Sequence, residues 1–423
     1  MSRSKTVVLR NPSYDAQFVR TLAAAQVAGA DLGEAIATAR RLAKPDPTSW
    51  HEQWSTTADT ARDDADAARA AGDRVSTRHA YLRASEYHRQ AYYFLRRTLD
   101  DPRLQASYAA HVDTFDAAVA LMDVAAERVL IPYDGTAVVG YFFAPDDSGA
   151  PRPTLLFPCG YDSTAPSGYV QVPDALARGY NALVFEGPGQ GEALYRQRLY
   201  FRPDYEHVLS QVVDSVASRK DVDAARLGLV GRSFAGYLAA RGATVEHRIA
   251  ALVCDPPQPD MGHRLPPPSV ARVVGTVLGA ATRLSADRAE FFGSHAAAHG
   301  VTSVSAYFAD LSRYTMLDRA AEIRCPTLLV ESENDPVGGG AALLTPVMTA
   351  PTTVVELSAA RGAGGHCAGL GQFLWAQAVY GWLDDVLLRA EAAPRPIPTA
   401  EPHRDRHRTS PPTMTGQPGQ QQH

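Results

Sequence analysis

The chain is poor in cysteine and in lysine. Its four cysteines, Cys159, Cys254, Cys325 and Cys367, are scattered over 423 residues and form no Cys-x-x-Cys pair. Neither a disulfide framework nor a zinc site is therefore expected. Only three of the 41 basic residues are lysines, which indicates no functional basic patch, and a net charge of −5 does not favour nucleic acid as a partner.

Long apolar runs are missing as well. The longest candidate span, residues 273–281, is too short to cross a membrane, and residues 1–5 lead into no apolar stretch typical of a signal peptide. We therefore expect a cytoplasmic protein without a membrane partner. The remaining composition, 45% hydrophobic and 21% charged, is that of a soluble enzyme with about two to three domains.

The most informative segment is residues 227–241, where a short apolar strand runs into a Gly-x-Ser turn and then into a helical pattern. This pattern predicts a nucleophile elbow. Gly231 lets the backbone turn sharply, so that Ser233 stands exposed at the end of the strand with a helix amino terminus behind it. The second small position of the pattern is Ala235, followed by Gly236. The alternative is an ordinary strand-to-helix turn.

Two further residues follow Ser233 in an order that supports a catalytic role. A serine hydroxyl is a weak nucleophile unless a base takes its proton and a third group orients that base. Asp335 comes just after the predicted strand 326–330, and His366 lies in a glycine-rich loop after the predicted strand 352–357. The order Ser, Asp, His is that of the α/β-hydrolase arrangement.

Other residues compete for these roles. Asp255, at the end of an earlier predicted strand, is an alternative acid, and Glu331 and Glu333 are either solvated loop charges or substitute acids. Cys367 beside His366 is interpreted as a packed loop residue rather than a second nucleophile. We prefer Asp335 as the acid.

Acyl transfer also needs two donors for the developing oxyanion. The first predicted donor is the amide of Phe234, the residue after the nucleophile. The second is the amide of Tyr161, because Gly160 lets the loop after the strand at 154–157 turn inward. The alternative for this loop is that Ser163 or Thr164 simply caps a helix.

The distribution of patterns predicts a helical region followed by an α/β domain. Residues before about 125 have helical spacing, a hairpin is predicted at 128–143, and alternating strands and helices follow. The predicted units are an arm (1–13), a helical cap domain (14–125), a catalytic domain with a mainly parallel sheet (126–391) carrying a helical lid insertion (about 257–322), and a disordered tail (392–423).

Several of these segments together resemble a known family of α/β-hydrolases. The family includes 2,6-dihydroxypseudooxynicotine hydrolase, the fungal polyketide-shortening hydrolase of pigment synthesis and the fermentation/respiration switch protein. The resemblance is carried by residues 186–192 (EGPGQGE), 201–205 (FRPDY), 231–237 (GRSFAGY), 362–367 (GAGGHC) and the helix at 83–95. Glu186 stands where the family usually has Asp, and Gly365 where Glu often precedes the histidine.

The resemblance implies Ser233 as nucleophile, Asp335 as acid and His366 as base. It also implies a homodimer and cleavage of a carbon–carbon bond in a β-dicarbonyl. Gly160, Arg232, Tyr87 and Tyr92 are the candidate substrate-binding residues; the two tyrosines would stack on a flat substrate, with packing in the core as the alternative.

The primary functional hypothesis is a serine-dependent hydrolase that acts through an acyl-enzyme on a small aromatic or polyketide carbonyl compound, at a carbon–carbon bond or an ester. An acyltransferase, a cyclase or an eliminating enzyme of natural-product biosynthesis would use the same triad. A non-catalytic binding protein with this fold is the third hypothesis. No metal and no organic cofactor is expected, because the proposed chemistry needs neither.

Overall fold

Within residues 7–42 and 46–389, which the computed structural model describes, five α-helices precede an eight-stranded sheet. The predicted tail at 392–423 lies outside the described residues. The helices before the sheet are α1 (Pro12–Ala24), α2 (Leu32–Arg41), α3 (Pro47–Ala70), α4 (Arg74–Tyr93) and α5 (Pro102–Val119).

These helices begin where the sequence supplies a cap. The side chain of an Asn or Asp accepts a hydrogen bond from a backbone amide in the first turn of each helix. Helices α1, α3 and α5 also have proline in their first turn, where its missing N–H costs no hydrogen bond. The capping residues are Asn11, Asp31, Asp46, Asp73 and Asp101.

The sheet and its connecting helices occupy the rest of the described chain. Its strands are β1 (Ala125–Tyr133), β2 (Thr136–Ala144), β3 (Arg152–Pro158), β4 (Asn181–Phe185), β5 (Val222–Arg232), β6 (Ile249–Asp255), β7 (Thr327–Ser332) and β8 (Thr352–Leu357). The helices among them are α6 (Val172–Ala177), α7 (Gly191–Tyr195), α8 (Glu206–Ala217), α9 (Ala235–Ala243), α10 (Pro268–Ala281), α11 (Ala286–Ala298), α12 (Val304–Leu311), α13 (Ala341–Leu344) and α14 (Gln372–Leu383).

The strand order is β1-β2-β4-β3-β5-β6-β7-β8. Strands β1 and β2 form the predicted hairpin, with Ile131 opposite Val138, and β2 pairs antiparallel with β4. All later neighbours are parallel. The predicted α/β-hydrolase architecture is confirmed, and the parallel arrangement brings the ends of β5, β7 and β8 to one edge of the sheet.

Apolar side chains fill three clusters. Two of them include strand residues and the helices that pack on the sheet. The third lies inside the amino-terminal helices and contains Phe18, Trp50, Trp54 and Tyr87, all fully buried. The helices before the sheet thus have an apolar core of their own.

The chain between β6 and β7 forms helices α10, α11 and α12, at the place predicted for the lid. We call residues 257–322 the lid. Its helix α11 reaches the loop after β3: the ring centroid of His295 lies 4.4 Å from that of Tyr161. Among the described residues, no helix combines the length and the apolar character needed to cross a bilayer.

Candidate active site

Ser233 lies on a strained turn between β5 and α9. Its φ is 59°, a left-handed conformation that is uncommon for a residue with a side chain. The backbone amide of Ser233 donates to the Asp255 carbonyl oxygen at 2.6 Å, which ties the turn to the end of β6. The neighbouring strand therefore holds the serine in this conformation.

Two glycines make room for the turn. A Cβ on Gly231 would lie 2.1 Å from the Ala235 carbonyl oxygen, and one on Gly236 would lie 2.1 Å from the Pro256 carbonyl oxygen. Both positions therefore exclude any larger side chain. After the serine, the position that must be glycine is thus Gly236. Position 235 has no such requirement, which explains why the chain accommodates Ala235.

The structure brings His366 and Asp335 to Ser233 in a continuous chain of hydrogen bonds. His366 Nε2 lies 2.8 Å from Ser233 Oγ, and His366 Nδ1 lies 3.0 and 3.1 Å from the two carboxylate oxygens of Asp335. The amides of Val337 and Cys367 also donate to that carboxylate, at 2.9 and 3.1 Å. The Asp335 side chain is fully buried, whereas a quarter of the His366 side chain is exposed.

The local environment sets the charges of this pair. Burial acts to raise the pKa of Asp335, but the hydrogen bond and charge of His366 outweigh it and lower that pKa below its ordinary value. Burial likewise acts to lower the pKa of His366, but the Cys367 side chain and the Asp335 carboxylate raise it above its ordinary value. An ionised Asp335 therefore fixes the Nδ1–H tautomer of neutral His366 and leaves Nε2 to accept the serine proton.

The alternative acids contact other groups. The carboxylate of Glu331 accepts hydrogen bonds from the Gly339 and Ala341 amides, and Glu333 accepts one from the Ala359 amide. Asp255 is fully buried, and its carboxylate accepts a hydrogen bond from Arg232 Nε at 3.2 Å. Asp335 is the carboxylate that contacts the His366 ring.

Arg232 was predicted to bind substrate, and two of its side-chain nitrogens donate to other groups of the protein. Besides Asp255, it donates to the Cys367 carbonyl oxygen at 2.7 Å, and its guanidinium carbon stacks 4.2 Å from the Trp375 ring centroid. Arg232 thus connects the histidine loop to the elbow, since it contacts both, and its binding of substrate stays a prediction.

The loop after β3 lies beside the elbow. A Cβ placed on Gly160 would come within 3.0 Å of the Arg232 carbonyl oxygen and 3.7 Å of the Phe234 amide nitrogen. Within the described residues, no oxygen accepts a hydrogen bond from the amide of Phe234 or of Tyr161. Both amides are thus available to a ligand next to Ser233.

Gln190, to which the sequence analysis assigned no role, holds this loop. Its side-chain nitrogen donates to the carbonyl oxygens of Cys159 and Gly160 at 2.5 and 3.1 Å, and its oxygen accepts from the Gly187 amide at 2.7 Å. Fixing these carbonyls holds in place the peptide units of the loop that lies beside the elbow. Its position in the EGPGQGE segment was the available signal.

A buried ion pair fastens the same loop to the amino-terminal helices. Asp162 accepts from Arg96 at 2.6 Å, from Arg20 at 3.3 Å and from the Tyr93 hydroxyl at 2.9 Å. The Arg96 and Asp162 side chains are 9% and 15% exposed. Because each charge is mostly shielded from water, removing either partner is expected to lower the free energy of unfolding strongly.

Replacing Asp162 with alanine is expected to lower the free energy of unfolding by about 3–5 kcal/mol, because Arg96 is left as a buried charge without its carboxylate. Denaturant unfolding measures the change. The matched control is Asp59→Ala, which breaks an exposed pair with Arg62 and is expected to cost less than about 1 kcal/mol. Equal effects of the two substitutions would contradict this assignment.

The side chain of Tyr161 belongs to an aromatic group above the elbow. Its ring centroid lies 4.6 Å from that of Phe234 and 4.8 Å from that of Phe201. Its hydroxyl contacts His299, the residue that follows α11. A small cavity is lined by Tyr161 together with Arg96, Asp162, Leu194, Tyr195, Ser294, His295 and Ala298.

Tyr87 and Tyr92, predicted to stack on substrate, lie in packed regions. Tyr87 is fully buried among the amino-terminal helices, and its hydroxyl binds the Asp31 amide and the Glu34 carboxylate. Tyr92 is 1% exposed and packs against Tyr108 and Tyr195. The core alternative therefore describes both, because neither ring has a free face.

Two other features lie near the triad. The ligand atoms of Asp335, His366 and Cys367 lie within 4.8 Å of one another, the one such cluster of potential metal ligands in the described part of the chain. A metal there would break the hydrogen bonds between His366 and Asp335. A cavity of about 430 Å³ between residues 257–264 and 338–343 is not lined by Ser233 or His366.

Comparison with known proteins finds relatives that are named hydrolases. Hydrolase LUC6 of Fusarium sp is 38% identical over 253 residues, which cover 58% of this chain and 60% of that protein. The 20-hydroxy-prefusarin hydrolase FUS2 of Gibberella moniliformis is 37% identical over 264 residues, covering 59% of this chain and 62% of its own length. The chain thus spans about three fifths of the length of these curated relatives.

The crystal structure of 2,6-dihydroxy-pseudo-oxynicotine hydrolase superposes with a TM-score of 0.72 at 22% identity, over 88% of this chain and 96% of that one. This likeness shows the fold. Residues 46–263, a little more than half of the chain, match the family described as esterase FrsA-like. With its α/β-hydrolase fold and this match, the protein belongs to the FrsA-like esterase family.

Proposed function

We propose that the protein is a serine-dependent hydrolase in which Ser233, His366 and Asp335 form the catalytic triad. The observation that carries this proposal is the chain of hydrogen bonds from Ser233 Oγ through His366 to Asp335, with the serine on a strained turn. The relatives are named as hydrolases, which supports hydrolytic chemistry.

The geometry supports a complete proton path. Nε2 of His366 takes the Ser233 proton as Oγ attacks the substrate carbonyl, and Asp335 stabilises the imidazolium that forms. The same proton then passes from Nε2 to the leaving group. Water, deprotonated by His366, attacks the acyl-enzyme, and the acid product is released with Ser233 regenerated.

The amides of Phe234 and Tyr161 are proposed as the oxyanion donors. Both lie beside Ser233, and within the described residues neither has another acceptor. Such fixed donors stabilise charge that develops only in the transition state, and losing one typically costs about 10²–10³ in kcat. Gln190 keeps the Tyr161 donor in place through the carbonyl of Gly160.

We propose that the bond cleaved is a carbon–carbon bond of a β-dicarbonyl or an ester, in an aromatic or polyketide compound. The apolar rings of Tyr161, Phe201 and Phe234 beside the nucleophile support a flat, carbonyl-bearing substrate. The homodimer and the cytoplasmic location expected from the sequence stay predictions.

Intact-protein mass after treatment with a fluorophosphonate probe tests the nucleophile. A single adduct is expected on the wild type and none on Ser233→Ala. A panel of aryl β-diketones and short esters then identifies the bond, since fast butyrate ester hydrolysis without β-diketone cleavage would contradict the carbon–carbon assignment. Heavy-oxygen water identifies the acceptor: an unlabelled acid product would exclude hydrolysis and favour an acyltransferase, a cyclase or an elimination.

The pH dependence should report the raised pKa of His366. The base acts only when neutral, so kcat/KM is expected to fall tenfold per pH unit below that pKa, with a midpoint above the ordinary histidine value of about 6.5. Because the Asp335 carboxylate helps to raise this pKa, Asp335→Asn should move the midpoint down. A pH profile with a midpoint at or below 6.5 in the wild type would contradict the assignment.

A further inference from the structure

A second hydrogen-bonded chain connects the lid to the residue beside the nucleophile. The hydroxyl of Tyr161 contacts Nε2 of His299, and Nδ1 of His299 lies 2.7 Å from Oδ2 of Asp310. The other carboxylate oxygen of Asp310 accepts from Arg313 Nη1 at 2.8 Å. The His299 side chain is fully buried and that of Asp310 is 17% exposed.

Arg313, at one end of this hydrogen-bonded chain, sets the direction of every hydrogen bond in it. Arg313 can only donate, so Asp310 accepts at both oxygens as a carboxylate. His299 must therefore donate from Nδ1–H to Asp310, and its neutral ring has no proton on Nε2. Burial, the first influence on the ring, lowers the pKa of His299 and favours this neutral form, although Asp310 opposes it.

Tyr161 has only one way to complete the chain. Since Nε2 of His299 is an acceptor, the Tyr161 O–H must donate to it, and the phenolic oxygen keeps two lone pairs. Both acceptor positions therefore remain on an oxygen whose proton is already committed.

Tyr161 lines the small cavity with the side chains of Arg96, Tyr195 and His295, and its ring packs on Phe234 next to Ser233. We propose that Tyr161, fixed as an acceptor by His299 and Asp310, selects substrates that present a hydroxyl group, enolic or phenolic, near the carbonyl that Ser233 attacks. This inference rests on the proposed function for the location of the substrate. It assigns Tyr161 as a specificity residue and His299 and Asp310 as positioning residues.

The test compares binding rather than turnover, so that it is independent of whether Ser233 is the nucleophile. Calorimetry on the full-length Ser233→Ala variant measures the affinity for 1-(hydroxyphenyl)butane-1,3-diones, with the hydroxyl at each ring position, and for the methoxy counterpart of each. At the best position, the hydroxyl compound is expected to bind about two- to tenfold more tightly, as one hydrogen bond implies. Tyr161→Phe should abolish the difference.

Asp310→Asn gives the sharper result. The amide oxygen of the new side chain would face Arg313, so its NH₂ group would donate to Nδ1 of His299 and move the ring proton to Nε2. Tyr161 would then accept from His299 and donate to the ligand. Because a hydroxyl oxygen and a methoxyl oxygen both accept a hydrogen bond, the preference for the hydroxyl compound should be lost. A purely structural contact would weaken both ligands equally.

Three results would overturn the proposal: equal affinities for hydroxyl and methoxyl compounds in the Ser233→Ala background, a hydroxyl preference that survives Asp310→Asn unchanged, or failure of every hydroxyl compound to bind. Fluorophosphonate labelling of the same substitutions made on the wild-type chain checks that the elbow is intact. Loss of labelling in the wild type itself would instead count against the proposed function, and the two failures are thereby separated.

Discussion

Ser233→Ala is expected to lower kcat by about 10⁶-fold, because the chain offers no second hydroxyl in contact with His366 Nε2 among the described residues. His366→Ala should cost about as much. Since the triad acts as a unit, the double variant is expected to be no worse than either single one. Steady-state kinetics with the best compound of the β-diketone and ester panel measures all three.

A matched control is Ser215→Ala on α8, which removes a serine hydroxyl from the helix that precedes β5. It should retain both turnover and a full fluorophosphonate adduct. If Ser233→Ala keeps more than about one hundredth of the wild-type kcat, the acyl-enzyme mechanism is wrong and the Cys367 thiol, 3.6 Å from His366 Nε2, becomes the nucleophile to examine.

Asp335→Asn is expected to lower kcat by about 10⁴-fold with little change in the fold. An asparagine amide at this position would donate to His366 Nδ1 and so place the ring proton on Nε2. Nε2 could then no longer accept the Ser233 proton. The substitution preserves side-chain volume, so unfolding measurements should show the folded state intact. Kinetics and unfolding together separate the lost tautomer from lost structure.

Asp255→Asn is the comparison that decides between the two candidate acids. Asp255 contacts Arg232 and not the His366 ring, and one of its buried oxygens has no hydrogen-bond partner within the described structure. We expect a loss of kcat below about tenfold. A larger loss for Asp255→Asn than for Asp335→Asn would reverse the assignment.

The features that the sequence predicted well are those that depend on local pattern or on chain order. The hairpin around Asp134 and Gly135 follows from a turn between two apolar alternations. The proximity of Asp335 and His366 follows from strand order, because each residue comes just after a parallel strand of the same sheet. The helices between β6 and β7 were likewise predicted from the spacing of their residues.

The sequence could not predict which groups a polar side chain contacts. Arg232 lies next to the nucleophile in the chain, yet its donors meet Asp255 and the Cys367 carbonyl, which only the folded structure brings together. An aromatic residue on a helix has the same pattern whether it faces a core or a ligand, so Tyr92 could not be placed. The contact of His299 with Tyr161 likewise depends on how the chain between β6 and β7 folds over the loop after β3.

The left-handed backbone of Ser233 has a consequence for how this protein could change over generations. A glycine would occupy a φ of 59° without the steric cost of a Cβ, whereas a serine held there stores about 1–3 kcal/mol. Selection for thermal robustness alone would therefore favour the variant that removes the hydroxyl. A serine kept at such a position therefore indicates selection for an activity and not for the fold. Stabilising consensus changes should be sought elsewhere in the chain.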